Sequence, residues 1–129
     1  MLLMILVCAG CNKNEETVIN GEPDVVSSTT YNQEYHLNLI ANRNQIDDKW
    51  KFAEEVIQMC KDNSFRTIRF SYDLGYPTGM YIEVYLNEED FENGKTVMKI
   101  TYCQREGSSG YDIINNPEEF ELMVGDEAV

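Results

Sequence analysis

One long amphipathic segment constrains the fold of this chain more than any other part of its sequence. Between Asn44 and Asp62, apolar residues recur at spacings of three and four, and charged or amide side chains fall opposite them. Asn44 is the predicted N-cap, with Asp47 and Asp48 in the first turn, where the helix dipole favours carboxylates. The predicted buried face consists of Ile46, Trp50, Ala53, Val56, Ile57 and Cys60. A helix with one apolar face has to pack against a second layer.

Alternating apolar and polar residues predict that this second layer is a sheet. Strands are expected at residues 35–39, 66–72, 81–86 and 98–102, the last with Met98, Ile100 and Tyr102 on its buried face. The segment 87–94 predicts a single capped helical turn, residues 111–114 could form a further strand, and Asn116-Pro117 is typical of the start of a short helix. The order predicts an α+β domain, with one long helix on an antiparallel sheet of four to five strands.

This order of strand, helix and three further strands is similar to that of cystatin-like domains, and the resemblance lies in topology alone. The peptidase-inhibiting members of that group use a Gln-x-Val-x-Gly hairpin. No such motif occurs in this sequence. The resemblance therefore implies a fold and does not imply peptidase inhibition.

The charge balance excludes one class of partner. The chain of 129 residues has room for one domain, and it carries 23 acidic and 10 basic residues, a net charge of −13. Nucleic-acid affinity depends on lysine and arginine neutralising phosphates, so nucleic-acid binding is not expected. Such a charge keeps a surface protein soluble, and the alternative is a dedicated cationic partner.

The first residues predict where the protein resides. The apolar run at residues 2–7 is shorter than the about 20 residues that span a bilayer, and it ends in small residues, as secretory signals do. The stretch Cys8-Ala9-Gly10-Cys11 resembles the lipobox of bacterial lipoproteins. The resemblance implies a signal peptide at 1–10, lipid attachment at Cys11, and an anchor on the extracytoplasmic side of a bacterial membrane. The alternative is a buried N-terminal strand.

Between this signal and the domain, the sequence predicts a linker. Residues 12–33 are mostly polar, include Gly21 and Pro23, and show no sustained helical or strand period. Residues 11–33 are therefore expected to form the lipidated cysteine and a flexible tether, and residues 34–129 a single α+β domain.

Two surfaces are candidates for binding. The first is the sheet face turned away from the helix, where tyrosine rings and cations could hold a peptide or a sugar acid, or contact an envelope protein; its candidates are Arg69, Tyr81, Glu83, Tyr85 and Lys99. The alternative is an ordinary solvated face with ion pairs across strands.

The second candidate surface is the loop 73–80. Its residues Tyr76 and Pro77 could block an extracytoplasmic enzyme, although a plain hairpin connection explains the loop too.

The remaining residues give little support for catalysis. His36 is the single histidine, and nothing in its spacing supplies a nucleophile and an orienting group. Cys60 is expected on the helix and Cys103 on the far side of the sheet, which disfavours a disulfide without excluding it. One histidine and two cysteines make a zinc site improbable, and no cofactor is predicted. The sequence thus favours a non-catalytic binding domain over an enzyme, and it leaves the oligomeric state open.

Overall fold

A computed structural model describes residues 19–126 of the chain. In chain order its elements are β1 Asp24–Tyr31, β2 Glu34–Ile40, α1 Lys49–Asp62, β3 Gly79–Tyr85, α2 Glu88–Glu92, β4 Thr96–Gln104, a 3-10 turn Pro117–Glu119 and β5 Phe120–Asp126. The predicted signal peptide and Cys11 lie outside the described residues. Within residues 19–126, no helix is long and apolar enough to cross a membrane.

The five strands form one mixed sheet in the order of the chain, β1-β2-β3-β4-β5. Three neighbouring pairs are antiparallel, and β2 pairs with β3 in parallel. The prediction of an α+β domain is confirmed, whereas the prediction of a wholly antiparallel sheet is wrong. The physical reason is the connection, because residues 41–78, including α1, return the chain to the starting end of β2 before β3 begins. The cystatin-like order is therefore matched only in part.

The first strand lies where a flexible tether was expected. β1 pairs with β2 through a two-residue turn at Asn32 and Gln33, whose φ angles of 53° and 65° suit a tight hairpin. Val25 is buried in the core. The tether prediction is wrong for residues 24–31, and the folded domain starts upstream of residue 34. The run Ser-Ser-Thr-Thr lacks the apolar alternation by which a strand is recognised.

The long helix starts later than its sequence pattern indicates. Asp48, not Asn44, is the N-cap, because its carboxylate accepts the Lys51 N–H at 3.0 Å. The helix ends as predicted, and Asn63 follows it in the left-handed conformation with φ 55°.

The buried face of α1 is largely the predicted one, formed by Phe52, Ala53, Val56, Ile57 and Cys60. Trp50 was expected on this face and is instead 50% exposed. Its indole N–H donates to the Glu54 carboxylate at 3.0 Å. Phe52 takes its place in the core, with the Arg43 guanidinium 4.7 Å from its ring centroid.

The predicted strand at residues 66–72 is absent, and the loop 73–80 is therefore not a hairpin connection. The Asn63 side chain donates to the Phe70 carbonyl oxygen at 2.8 Å and accepts the Phe70 N–H at 2.8 Å. Both backbone groups of Phe70 are thus taken by a side chain and cannot join a strand ladder. The Phe70 and Tyr72 rings pack edge-on against Tyr35 of β2, at 5.2 and 6.1 Å between ring centroids.

The second half of the sheet agrees better with prediction. β3 and β4 form where expected, and Met98, Ile100 and Tyr102 are buried on the helix side. The capped turn is α2, where the Asn87 side chain accepts the Asp90 N–H. Residues 111–114 form a turn rather than a strand, although Ile113 is fully buried. The last strand, β5, follows the short helical turn and was missed.

Candidate functional site

The sheet face away from α1 carries a shallow groove of about 440 Å³, here called the open-face groove. Strand register arranges its side chains in two rows that cross β1, β2, β3 and β4. One row is Thr29, His36, Tyr81 and Thr101, and the other is Ser27, Asn38, Glu83 and Lys99. Side chains alternate between the two faces of a strand, so the core residues between them point towards α1.

The centre of the first row is a pair of stacked rings. His36 and Tyr81 lie 4.9 Å apart between ring centroids, with an interplanar angle of 16°. Gly79 makes room for the phenol, because a Cβ at that position would lie 3.2 Å from Cε2 of Tyr81. Burial raises the pKa of Tyr81, and the carboxylate of Glu34 and the thiol of Cys103 raise it further. The phenol therefore keeps its proton at neutral pH and can donate a hydrogen bond.

The second row is a chain of oriented polar groups. Asn38 donates from Nδ2 to the Ser27 hydroxyl at 2.8 Å. The Tyr85 hydroxyl lies 3.4 Å from both Asn38 Oδ1 and Glu83 Oε1. Glu83 Oε2 is 3.9 Å from the Lys99 ammonium. The amide and the carboxylate thus have partners that limit their rotation, while the face stays open to solvent.

The structure brings together three of the five residues predicted for this face. Tyr81, Glu83 and Lys99 line the open-face groove. Tyr85 belongs to the same face but is only 7% exposed, because Phe91 of α2 packs edge-on against its ring at 5.1 Å. It supports the second row from one end rather than offering a contact surface.

Arg69 is not on the sheet. Its segment was expected to be a strand and instead runs outside the sheet, and its guanidinium donates to the neighbouring Ile68 carbonyl at 3.3 Å. The prediction that Arg69 belongs to the binding face is therefore wrong. Its place is taken by groups that sequence reasoning left out of the site: Ser27 and Thr29 on the missed strand β1, and His36 and Asn38 at the polar positions of β2.

The second predicted surface, loop 73–80, presents different residues from those expected. Pro77 is buried, and its carbonyl accepts the Ile113 N–H at 3.0 Å. Tyr76 is partly exposed and packs edge-on against Tyr72 at 5.5 Å. Leu74, at the tip, is 90% exposed. The exposed part of the loop is therefore Leu74 and Tyr76.

The two described cysteines are free thiols on opposite sides of the sheet. Burial raises the pKa of Cys60 in the helix. On the open face, burial and the Glu121 carboxylate raise the pKa of Cys103. Because the thiolate is the nucleophile, both thiols are weakly reactive at neutral pH. Among residues 19–126, no group of three or more histidine, cysteine or acidic side chains could hold a metal ion.

No family model, no curated protein and no solved structure matches this chain. Function therefore has to be inferred from the chemistry of the open-face groove.

Proposed function

We propose that this chain is a bacterial surface lipoprotein, acylated at Cys11, whose domain binds a polar ligand in the open-face groove without transforming it. The observation that carries the binding part is the stacked His36–Tyr81 pair beside an oriented amide and carboxylate on an uncovered sheet face. The lipobox-like residues at 8–11 support the location. The chain from Cys11 to Asp24 can span at most about 45 Å, which keeps the domain near the membrane surface.

The charges of the face favour a neutral or cationic ligand. Arg69 is absent from the face, and the Lys99 ammonium lies beside the Glu83 carboxylate. Glu34 adds a further carboxylate next to Tyr81. The sugar acid considered from the sequence would thus meet two carboxylates and one ammonium that already has an anionic neighbour. A ligand without a negative charge avoids this repulsion.

A neutral or amino-sugar oligosaccharide fits these groups best. A sugar ring has an apolar face that can lie on an aromatic ring, and hydroxyl edges that pair with amides, carboxylates and hydroxyls. The two rows offer both kinds of partner side by side. They cross four strands, a width of about 14 Å, which suits a short oligosaccharide better than a single ring.

A glycan array probed with the fluorescently labelled protein tests this proposal. The array carries neutral, amino-sugar and uronic-acid oligosaccharides, and binding is expected to the first two groups. Tyr81→Ala should abolish the signal, because it removes one of the two stacked rings. Tyr31→Ala is the matched control, since Tyr31 is an exposed tyrosine outside the groove. Binding confined to uronic acids, or equal loss in both variants, would contradict the proposal.

One observation favours a second candidate function, the modulation of an extracytoplasmic enzyme by loop 73–80. Leu74 and Tyr76 form an exposed apolar tip. The loop is held at the β1–β2 turn, where Thr78 N–H donates to the Gln33 carbonyl at 2.9 Å. The N-terminal segment enters at the other end of β1, about 23 Å away. An anchored domain would thus present this tip away from its lipid.

The two candidates separate in an inhibition assay against a panel of purified envelope hydrolases. Leu74→Ala combined with Tyr76→Ala should relieve inhibition if the loop acts, while Tyr81→Ala should leave inhibition intact. Inhibition that responds to Tyr81→Ala alone would exclude the loop as the acting surface.

A further inference from the structure

The two edges of the sheet differ in how well they are protected from pairing with another strand. On β1, the register shifts between Val25 and Ser27. Such a bulge makes it harder for a strand of another chain to pair with this edge. The Asp24 carboxylate also accepts the Thr67 N–H at 3.1 Å and the Thr67 hydroxyl, so the start of β1 is partly covered. β5 pairs with β4 from Phe120 to Asp126 without a register shift, and within residues 19–126 no strand lies on its other side.

The middle of β5 also lacks the side chains that protect an edge. Natural edge strands are blunted by charged side chains, above all lysine, by proline, by bulges or by short length. The segment FELMVGD contains no lysine and no proline, and its two charges, Glu121 and Asp126, lie near its ends. Met123 is 47% exposed on the open face, and Leu122 and Val124 are half-buried on the helix side. A regular edge of seven residues with apolar side chains on both faces is a template for strand pairing.

A groove of about 300 Å³, with both apolar and charged side chains in its lining, continues this edge onto the helix layer. It lies between α1 and β5, and half-exposed Trp50 stands on its rim. Its apolar lining is completed by Ile57, Tyr102, Phe120 and Leu122. A free strand edge and an exposed tryptophan thus border one continuous surface, and tryptophan is enriched among the residues that contribute most to binding at interfaces.

We propose that a second copy of this chain covers this surface, with β5 pairing antiparallel to β5 of the partner about a two-fold axis at Met123. The pairing joins two five-stranded sheets into one of ten strands and leaves both helix layers on the same side. In this register Leu122 faces the partner's Val124, and Glu121 faces the partner's Gly125. No two glutamates are directly opposite, so the acidic chain pairs without like-charge contacts in the new ladder.

The helix side of the interface has complementary charge. Glu54 and Lys61 both line the groove, seven positions apart on α1. A two-fold axis reverses the direction of the partner's helix, so that Glu54 of one copy approaches the end of the interface that holds the partner's Lys61. The two-fold axis also places both Trp50 side chains in the interface, where each buries apolar surface that is exposed in the monomer.

Sedimentation velocity between about 2 and 200 µM tests the proposal, because a self-association depends on concentration. The wild-type protein should pass from monomer to dimer over this range. Met123→Lys should raise the dissociation constant by about tenfold or more, because it places two ammonium groups opposite each other on the axis. Ser28→Lys adds the same charge to the exposed part of β1, the other edge, and should leave the dimer unchanged.

Amide hydrogen exchange of the wild-type protein gives a second readout that does not depend on a variant. Among residues 121–125 of β5, the amides that point away from β4 should gain protection with protein concentration, while protection of β1 should not change. A wild-type protein that stays monomeric at the highest concentration overturns the proposal and leaves the edge to a different partner. A dimer that resists Met123→Lys, or that Ser28→Lys disrupts, overturns it as well.

Discussion

Asn63 offers the most direct test of how the chain covers its core beyond α1. Its side-chain amide makes two hydrogen bonds to the backbone of Phe70, each 2.8 Å long. Its own backbone is left-handed, with φ 55°, a conformation that favours glycine. Asn63→Gly keeps this conformation and removes both hydrogen bonds, whereas Asn63→Ala removes the bonds and adds backbone strain.

The expected costs follow from these contacts. A hydrogen bond within a protein contributes about 0.5–1.5 kcal/mol net, so the two bonds together contribute about 1–3 kcal/mol. Glycine recovers part of this loss, because other residues pay about 1–2 kcal/mol in the left-handed region. Asn63→Gly should therefore lower the free energy of unfolding by about 1–2 kcal/mol, and Asn63→Ala by about 1 kcal/mol more.

Urea denaturation followed by circular dichroism measures both changes, and amide hydrogen exchange locates them. Amides in the middle of α1 should exchange faster only in proportion to the loss of global stability. The Phe70 amide should exchange faster than that loss explains in both variants, because its hydrogen bond to the Asn63 side chain is gone. If Asn63→Gly is as stable as the wild type, the side chain does not pin residues 66–72. If Asn63→Gly and Asn63→Ala lower the free energy of unfolding equally, the left-handed conformation at residue 63 does not strain alanine.

Three further outcomes are expected. Burial raises the pKa values of Cys60 and Tyr72 above their ordinary 9.0 and 10.0, so their contribution to stability is complete well below pH 9 and is lost as the pH rises through these values. Urea midpoints should be level from pH 7 to 8 and fall by pH 11. A thiol reagent such as DTNB should label Cys103 in the folded protein more slowly than it labels a free thiol. Glu121→Gln should speed the labelling by lowering the pKa of Cys103, and an unchanged rate would show that the Glu121 carboxylate does not raise that pKa. Gly79→Ala should displace the Tyr81 ring and weaken glycan binding, at a stability cost of about 1 kcal/mol in urea denaturation; unaltered binding would show that the position of this ring is not required.

The elements with strong local patterns were predictable from the sequence. The helical spacing located α1 and its C-terminal end, and alternation located β2, β3 and β4. Two local signals were misleading. Residues 24–31 are too polar to indicate a strand, yet they pair with β2 along its length. Residues 66–72 alternate like a strand, but the Asn63 amide takes the backbone of Phe70 and the aromatic side chains cover the core instead.

Part of the candidate site could be predicted, because the alternation of apolar and polar residues indicates which side chains of a strand share a face. Tyr81, Glu83 and Lys99 share a face because they occupy alternate positions on paired strands. The stacking of His36 on Tyr81 depends on the parallel pairing of β2 with β3, which brings together residues 45 positions apart in the chain. No spacing within either segment indicates that pairing. Predicting this pairing requires knowing that residues 41–78 return the chain to the starting end of β2.

Binding of a glycan in the open-face groove is tested by a ¹⁵N–¹H correlation titration of the protein with a neutral or amino-sugar oligosaccharide that binds on the array. Binding in the open-face groove predicts the largest shift changes at His36, Asn38, Tyr81 and Glu83, with the β5 and Leu74 amides unaffected. Saturable shifts confined to the loop 73–80, or no shifts on this face at any concentration, would contradict the assignment of the groove as the binding site.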